Sequence, residues 1–142
     1  IIKNKGEILC LSECSDGIPS HGKFYSLLSE FSDPEQVEGI LSKPDFHCQD
    51  QWQVQILSQI AKKSKINLYT EGLSNDEIKN AFMFNVSNPQ NFVDRIVKEN
   101  KNIRGCVLPE GPITIPVVGL RGSPTKQTLR PPKRTFVLVE TA

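Results

Sequence analysis

The chain lacks both a surplus of one charge and any long apolar segment. Its 142 residues carry 17 basic and 16 acidic side chains, which gives a formal net charge of +1 at pH 7. Proteins that bind nucleic acid or anionic membranes usually show a basic surplus, and this chain has none. No apolar run approaches the roughly 20 residues that a membrane-spanning helix needs, and no signal-peptide pattern stands at the start. We therefore predict neither a nucleic-acid partner nor a membrane partner.

The familiar motifs of nucleotide binding and nucleophilic catalysis are also missing. The sequence has no Gly-x-Gly-x-x-Gly fingerprint, no Walker-type Gly-Lys-Ser/Thr and no Gly-x-Ser-x-Gly elbow. Its two histidines, His21 and His47, show no evident partner carboxylate for a catalytic triad. We assign no catalytic residue to this chain and expect that it is not a complete enzyme by itself.

The cysteines are few and show no metal-binding spacing. No Cys-x-x-Cys pair occurs among Cys10, Cys14, Cys48 and Cys106. A domain of this size does not need disulfides, so we expect reduced thiols and a cytoplasmic location. Cys10 and Cys106 lie in apolar, strand-like runs and are predicted to be buried. No metal ligand is assigned, although an alternative hypothesis gathers a metal site from Cys14, His21, His47 and Cys48.

Strand and helix patterns alternate along the chain and predict an α/β fold. Apolar runs at 8–11, 66–70 and 104–108 are typical of buried strands, and helical periodicity fills the segments between them. The strongest helix pattern spans 49–63, where Trp52, Ile56 and Ile60 recur every four residues. We expect this stripe to pack in the core. The alternation predicts a three-layer sandwich with a mainly parallel sheet and helices on both faces.

The composition changes near residue 118. Residues 1–118 form the predicted α/β domain, whereas 119–142 form a proline-rich, locally basic tail. The apolar run at 135–139 is a candidate for an extra strand, and the preceding Pro131-Pro132 favours an edge position. Because the chain opens at Ile1 rather than at a methionine, we interpret it as a piece of a longer polypeptide.

The loop at 12–23 follows the first strand, where open α/β domains bind ligands. Lys23 supplies a cation and His21 an imidazole. Together with backbone N–H groups before a helix, they suit a small carboxylate or phosphate. In the alternative interpretation, glycines and a proline only turn the chain while both side chains face water. By themselves the residues favour this second interpretation, because loops of this composition are common.

The segment Asp50-Gln51-Trp52-Gln53 places a large indole and several amides at a helix start. The carboxylate of Asp50 complements the helix dipole, and Trp52 begins the apolar stripe. Glutamines 51, 53 and 55 point in different directions around the helix, so at most one or two can face a ligand. Ordinary helix formation explains this segment, and a role in a site depends on the resemblance that follows.

In their order and spacing, these motifs resemble the C-terminal domain of the nickel-dependent lactate racemase family. The resemblance covers roughly residues 5 to 118. It rests on Ser12-Glu13-Cys14-Ser15-Asp16-Gly17, Phe24-Tyr25, Asp50-Gln51-Trp52-Gln53-Val54-Gln55, Leu73-Ser74, and Leu108-Pro109-Glu110-Gly111-Pro112 with Ile115-Pro116.

The resemblance implies the C-terminal domain of a two-domain isomerase. An N-terminal domain of the same parent chain would hold most of a nickel pincer nucleotide cofactor and the catalytic histidine pair. The present domain would close over that cofactor and a small 2-hydroxy acid. On this basis we expect substrate contacts from Lys23 and His21, and cofactor contacts from Gly17, Gln51 and Trp52. The alternative is a stand-alone carboxylate-binding or regulatory module without catalysis.

Overall fold

The computed structural model describes residues 2, 4–99, 103–109, 111 and 135–140. Strands and helices alternate through most of these residues, which confirms the predicted α/β class. In chain order the elements are β1 (Glu7–Leu11), α1 (Phe24–Leu28), α2 (Pro34–Leu41), α3 (Gln51–Lys63), β2 (Lys65–Tyr69), α4 (Asn75–Asn80), β3 (Phe84–Asn85), α5 (Pro89–Glu99), β4 (Arg104–Leu108) and β5 (Thr135–Glu140).

A five-stranded sheet in the order β3-β2-β1-β5-β4 forms the centre of the domain. β1 pairs with β2 in parallel, with Leu9 opposite Asn67, and β2 pairs with β3 in parallel. β5 runs antiparallel to both β1 and β4, so β4 points in the same direction as β1. The sheet is therefore mainly parallel, as predicted.

Helices cover both faces of this sheet. On one face Leu9 of β1 packs with Phe92 and Ile96 of α5, and all three side chains are buried. A separate core cluster joins α1, α2 and α3 around Leu28 and Val54, and α3 contacts β2. Leu9 lies opposite Asn67, so Ile66 and Leu68 of β2 point to the other face of the sheet, where they are also buried. This arrangement confirms the three-layer prediction.

The expectation for the apolar stripe of α3 is wrong. The exposed fractions of Trp52, Ile56 and Ile60 are 59%, 49% and 39%, whereas Val54 and Ser58 on the other side of the helix are 0% and 1% exposed. The helix is oriented by its contacts with α2 and β2. The hydroxyl of Ser58 donates a hydrogen bond to the backbone oxygen of Pro34 at 2.9 Å, so this polar side chain is buried with a partner.

Two further expectations for the strands are wrong. β5 lies between β1 and β4 rather than at an edge. The prolines precede the strand and so remove no ladder hydrogen bond, and its apolar run suits an interior position. Cys106, which was expected to be buried, is exposed in β4 at an edge of the described sheet. Most of the predicted tail, residues 119–134 with 141 and 142, lies outside the described residues.

Cys10 is half-buried in β1. Burial, together with a smaller effect of the nearby Cys14, raises the pKa of its thiol to about 12. This thiol is therefore protonated and unreactive at neutral pH. None of the helices in the described part of the chain is long and apolar enough to cross a membrane.

Candidate functional site

The loops that follow β1 and β2 are joined at one end of the sheet. Leu11 and Tyr69 end the two strands side by side, and the Ser12 N–H donates to the backbone oxygen of Tyr69 at 3.1 Å. The Thr70 hydroxyl then donates to the backbone oxygen of Glu13 at 2.8 Å. These bonds fix the start of the 12–23 loop against the neighbouring loop, at the carboxyl ends of parallel strands where α/β domains bind ligands.

Gly72 allows the closest approach between these two loops. A Cβ at this position would overlap the backbone oxygen of Cys14. Cys14 itself adopts a left-handed conformation with φ of 49°. Its carbonyl accepts a hydrogen bond from the Gly17 N–H at 2.9 Å, which closes a tight turn. The N–H of Gly17 is therefore used within the loop, and Gly17 itself has a left-handed φ of 66°.

The far end of the 12–23 loop is held against the head of α3. Asp50 accepts a hydrogen bond on Oδ2 from the backbone N–H of Lys23 at 2.9 Å. Asp50 makes no side-chain cap to α3 and has a left-handed φ of 65°. The structure thus brings together the two segments that the sequence singled out, and Asp50 is the residue that joins them.

Lys23 and His21 are both exposed beside this junction. Lys23 occupies the N-cap position of α1 without a side-chain capping bond. Its backbone N–H is used by Asp50, so what it can offer a ligand is its ammonium group. An exposed ammonium and an imidazole can bind a carboxylate through charge-assisted hydrogen bonds.

Gln51 and Trp52 have different chemical groups available for contact with a ligand. Gln51 accepts a hydrogen bond on Oε1 from the Cys48 N–H at 2.7 Å, so its side chain is oriented and its amide NH₂ is the group it can donate. Trp52 exposes more than half of its surface at the same end of α3. An exposed indole offers a flat face for stacking against a planar ligand.

The motif at the end of β4 is only partly described. Leu108 is buried, and Pro109 and Gly111 are half-buried, whereas Glu110 and Pro112 lie outside the described residues. β4 points in the same direction as β1, so its carboxyl end lies at the same edge of the sheet. β5 separates it from β1, so the motif is one strand removed from the Asp50–Lys23 junction.

Two residues that build this edge, Thr70 and Gly72, were not predicted from the sequence. Their signal was available: a short polar residue and a glycine directly follow the second buried strand of a predicted parallel sheet. Across the described ranges, no three His, Cys, Asp or Glu side chains lie close enough together to hold a metal ion. The alternative metal site therefore finds no geometric support there.

These observations define an α/β domain whose sheet carries joined polar loops at the carboxyl ends of β1 and β2, beside a helix that exposes an indole. Residues 1–116 match the family model described as lactate racemase C-terminal domain. The chain therefore belongs to the lactate racemase C-terminal domain family, as the sequence motifs predicted.

A relative with this name supports the assignment. The chain is 32% identical over 114 residues to a lactate racemase of Thermoanaerobacterium thermosaccharolyticum. The match covers 77% of the present chain but 26% of the relative. The chain thus spans about a quarter of the length of the curated relative that it matches.

Proposed function

We propose that this domain is the C-terminal part of a two-domain isomerase that racemises or epimerises a small 2-hydroxy acid. The observation that carries the proposal is the hydrogen bond between Asp50 and the Lys23 N–H, which holds the loop after β1 against the head of α3. An exposed cation, an imidazole and an exposed indole belong to these two joined segments. Membership of the family supplies the class of reaction.

In this proposal Lys23 binds the substrate carboxylate. Its ammonium group is exposed on a backbone that Asp50 fixes, so it offers a positioned point charge. His21, three residues from the α1 helix in the same loop, supplies a second donor. Fixing the carboxylate orients the neighbouring hydroxyl-bearing carbon, and such positioning is a large source of rate acceleration.

The donor set at this edge fits the organic part of a nucleotide cofactor. A nucleotide presents an aromatic ring, a sugar and a phosphate. The exposed Trp52 indole offers a stacking face and the Gln51 NH₂ a donor for those parts, whereas the Gly17 N–H is already bonded to the Cys14 carbonyl. The described residues offer no cluster for the metal itself. The nickel pincer nucleotide is therefore expected to be held mainly by the N-terminal domain, with this domain contacting its organic groups.

When bound, the cofactor supplies the acceptor and donor of the hydride that leaves the hydroxyl-bearing carbon and returns to either face. The residues of this chain bind and orient the substrate for that step. Closure of this domain over the site would also exclude water, which strengthens the contact between Lys23 and the carboxylate. Opening of the same domain would control substrate entry and product release.

The test is racemisation by the full-length parent protein loaded with the nickel cofactor. D- and L-lactate and a small panel of other 2-hydroxy acids are supplied as single enantiomers, and the products are separated by chiral chromatography. We expect at least one acid to reach the same mixture from either enantiomer, and the 142-residue chain alone to be inactive. No turnover on any acid, together with calorimetric binding of a 2-hydroxy acid by the isolated chain, would instead favour the binding-module hypothesis.

A further inference from the structure

The outer face of α3 carries an apolar groove with a volume of about 450 Å³. Six apolar residues line it: Phe24, Trp52, Ile56, Leu57, Ile60 and Met83. Gln53 is the polar member of the lining. We call this surface the α3 groove.

The α3 groove is unusual for a surface exposed to water. Isolated exposed apolar side chains are normal, but contiguous patches mark interaction surfaces. Trp52, Ile56 and Ile60 expose between 39% and 59% of their surface and follow one another at intervals of one helical turn. No other element within the described residues covers them, so the groove has the composition of an interface core.

The α3 groove begins at the candidate site. Phe24 directly follows Lys23, and Trp52 directly follows Gln51, so two groove residues adjoin two site residues in sequence. From Trp52 the stripe runs along α3 to Ile60, a distance of about 12 Å at the rise of an α-helix. The groove therefore lies beside the candidate site.

We infer that the α3 groove is the docking surface for the N-terminal domain of the parent polypeptide, which would insert apolar side chains between Trp52 and Ile60. This inference rests on the proposed function, because it names the face on which the two domains meet. Its occupant follows from two observations. The match covers only 26% of the related lactate racemase, so most of that protein lies outside it. The groove also adjoins the residues that an opposing domain must cover in order to enclose a substrate.

The test is photo-cross-linking in the full-length parent protein. A benzophenone amino acid replaces Ile56 at the centre of the groove, and a matched variant carries it at Gln55, which is exposed on the flank of the same helix. We expect the probe at position 56 to link, within one chain, to residues outside the present 142. The yield should be several times that of the probe at position 55, and mass spectrometry identifies the linked peptides.

Three cross-linking results would overturn the inference. Links between two copies of the chain would make the groove a dimer interface, and links to residues 112–134 would mean that the chain covers its own groove. Equal yields at positions 55 and 56 would mean that the groove is not an interface. Because a bulky probe can disturb docking, Ile56→Cys and Gln55→Cys provide a second readout. Maleimide labelling should be several-fold slower at position 56 in the parent, and equal rates would also overturn the inference.

The outcome is separable from that of the proposed function, because cross-linking and labelling need no turnover. If the parent protein racemises no 2-hydroxy acid but cross-links as expected, the inferred interface is supported and the proposed isomerase activity is contradicted. If the parent protein is active but its α3 groove is accessible, the proposed isomerase activity is supported and the inferred interface is contradicted.

Discussion

The carboxylate of Asp50 holds the backbone N–H of Lys23 at 2.9 Å, across 27 residues of sequence. A Cβ on Gly22, the loop residue before Lys23, would lie 2.5 Å from the same Oδ2 atom. The contact therefore depends on a glycine next to the lysine as well as on the acid. Through this hydrogen bond, the conformation of the 12–23 loop depends on the position of α3.

Substitutions of Asp50 separate the hydrogen bond from the backbone conformation. Asp50→Asn keeps an acceptor and tolerates a positive φ, so we expect a small loss of stability. Asp50→Ala loses the bond, which is worth about 1 kcal/mol, and places alanine in the left-handed region at a further cost of about 1–2 kcal/mol. Asp50→Gly should fall between them. Urea unfolding of the three variants measures this order of stability. Equal losses of stability for Asp50→Asn and Asp50→Ala would contradict the role of the hydrogen bond.

Gly72→Ala tests the close approach of the two loops. Its Cβ would overlap the Cys14 backbone oxygen, which cannot move without displacing the loop. We expect a loss of several kcal/mol, comparable with overpacking or worse. Gly39→Ala in α2 is the control, because no atom lies within 4 Å of the new Cβ. Alanine should stabilise that helix by about 0.5–1 kcal/mol. A tolerated Gly72→Ala would show that the loops are not in contact.

Two isoleucines test the orientation of α3. Ile56 is 49% exposed, whereas Ile78 of α4 is 1% exposed. Truncating a fully buried isoleucine to alanine costs about 2–5 kcal/mol, so we expect Ile78→Ala to fall in that range. Ile56→Ala in the 142-residue chain should cost less than about 1 kcal/mol, since it leaves no cavity. Similar losses for both variants in chemical denaturation would mean that α3 buries its apolar stripe after all.

The ion pair between Lys62 of α3 and Glu38 of α2 predicts a pH dependence. A hydrogen bond from Lys62, together with its charge, lowers the pKa of Glu38. Since the folded pKa lies below the unfolded one, the pair stabilises the fold above the ordinary glutamate range, near pH 4.3. The contribution is lost as the pH falls from there through the lowered folded pKa.

Glu38→Gln should therefore flatten the fall of unfolding free energy below about pH 5, measured by urea titrations at a series of pH values. Glu30→Gln, at an exposed position in the turn after α1, is the matched control. An unchanged slope in Glu38→Gln would show that the pair does not form in solution.

The sequence predicted the order of elements well, because local signals specify it. Asp33 caps α2 by accepting hydrogen bonds from the N–H groups of Glu35 and Gln36, and Ser74 forms the expected capping box with Glu77. Such contacts span three residues and can be read from adjacent letters. The alternation of strands and helices then leaves few arrangements other than a mainly parallel sheet.

The orientation of α3 could not be predicted in the same way. A spacing of four residues defines a stripe but not the neighbour that the stripe faces. The buried side instead includes Ser58, whose hydroxyl finds the Pro34 carbonyl 24 residues away. The Asp50–Lys23 contact is also long-range, so the sequence indicated both segments of the candidate site without indicating that Asp50 joins them.

The most direct test of the account is the turnover of the cofactor-loaded parent protein carrying Lys23→Ala. Lys63→Ala, at the opposite end of α3 and about 20 Å along the helix from Asp50, is the matched control. The account predicts that Lys23→Ala lowers kcat/KM for the best 2-hydroxy acid by at least about 100-fold, as expected when a carboxylate-binding charge is lost. Lys63→Ala should retain the parent rate. Equal turnover in both variants, with folding preserved, would contradict the assignment of Lys23 to the substrate.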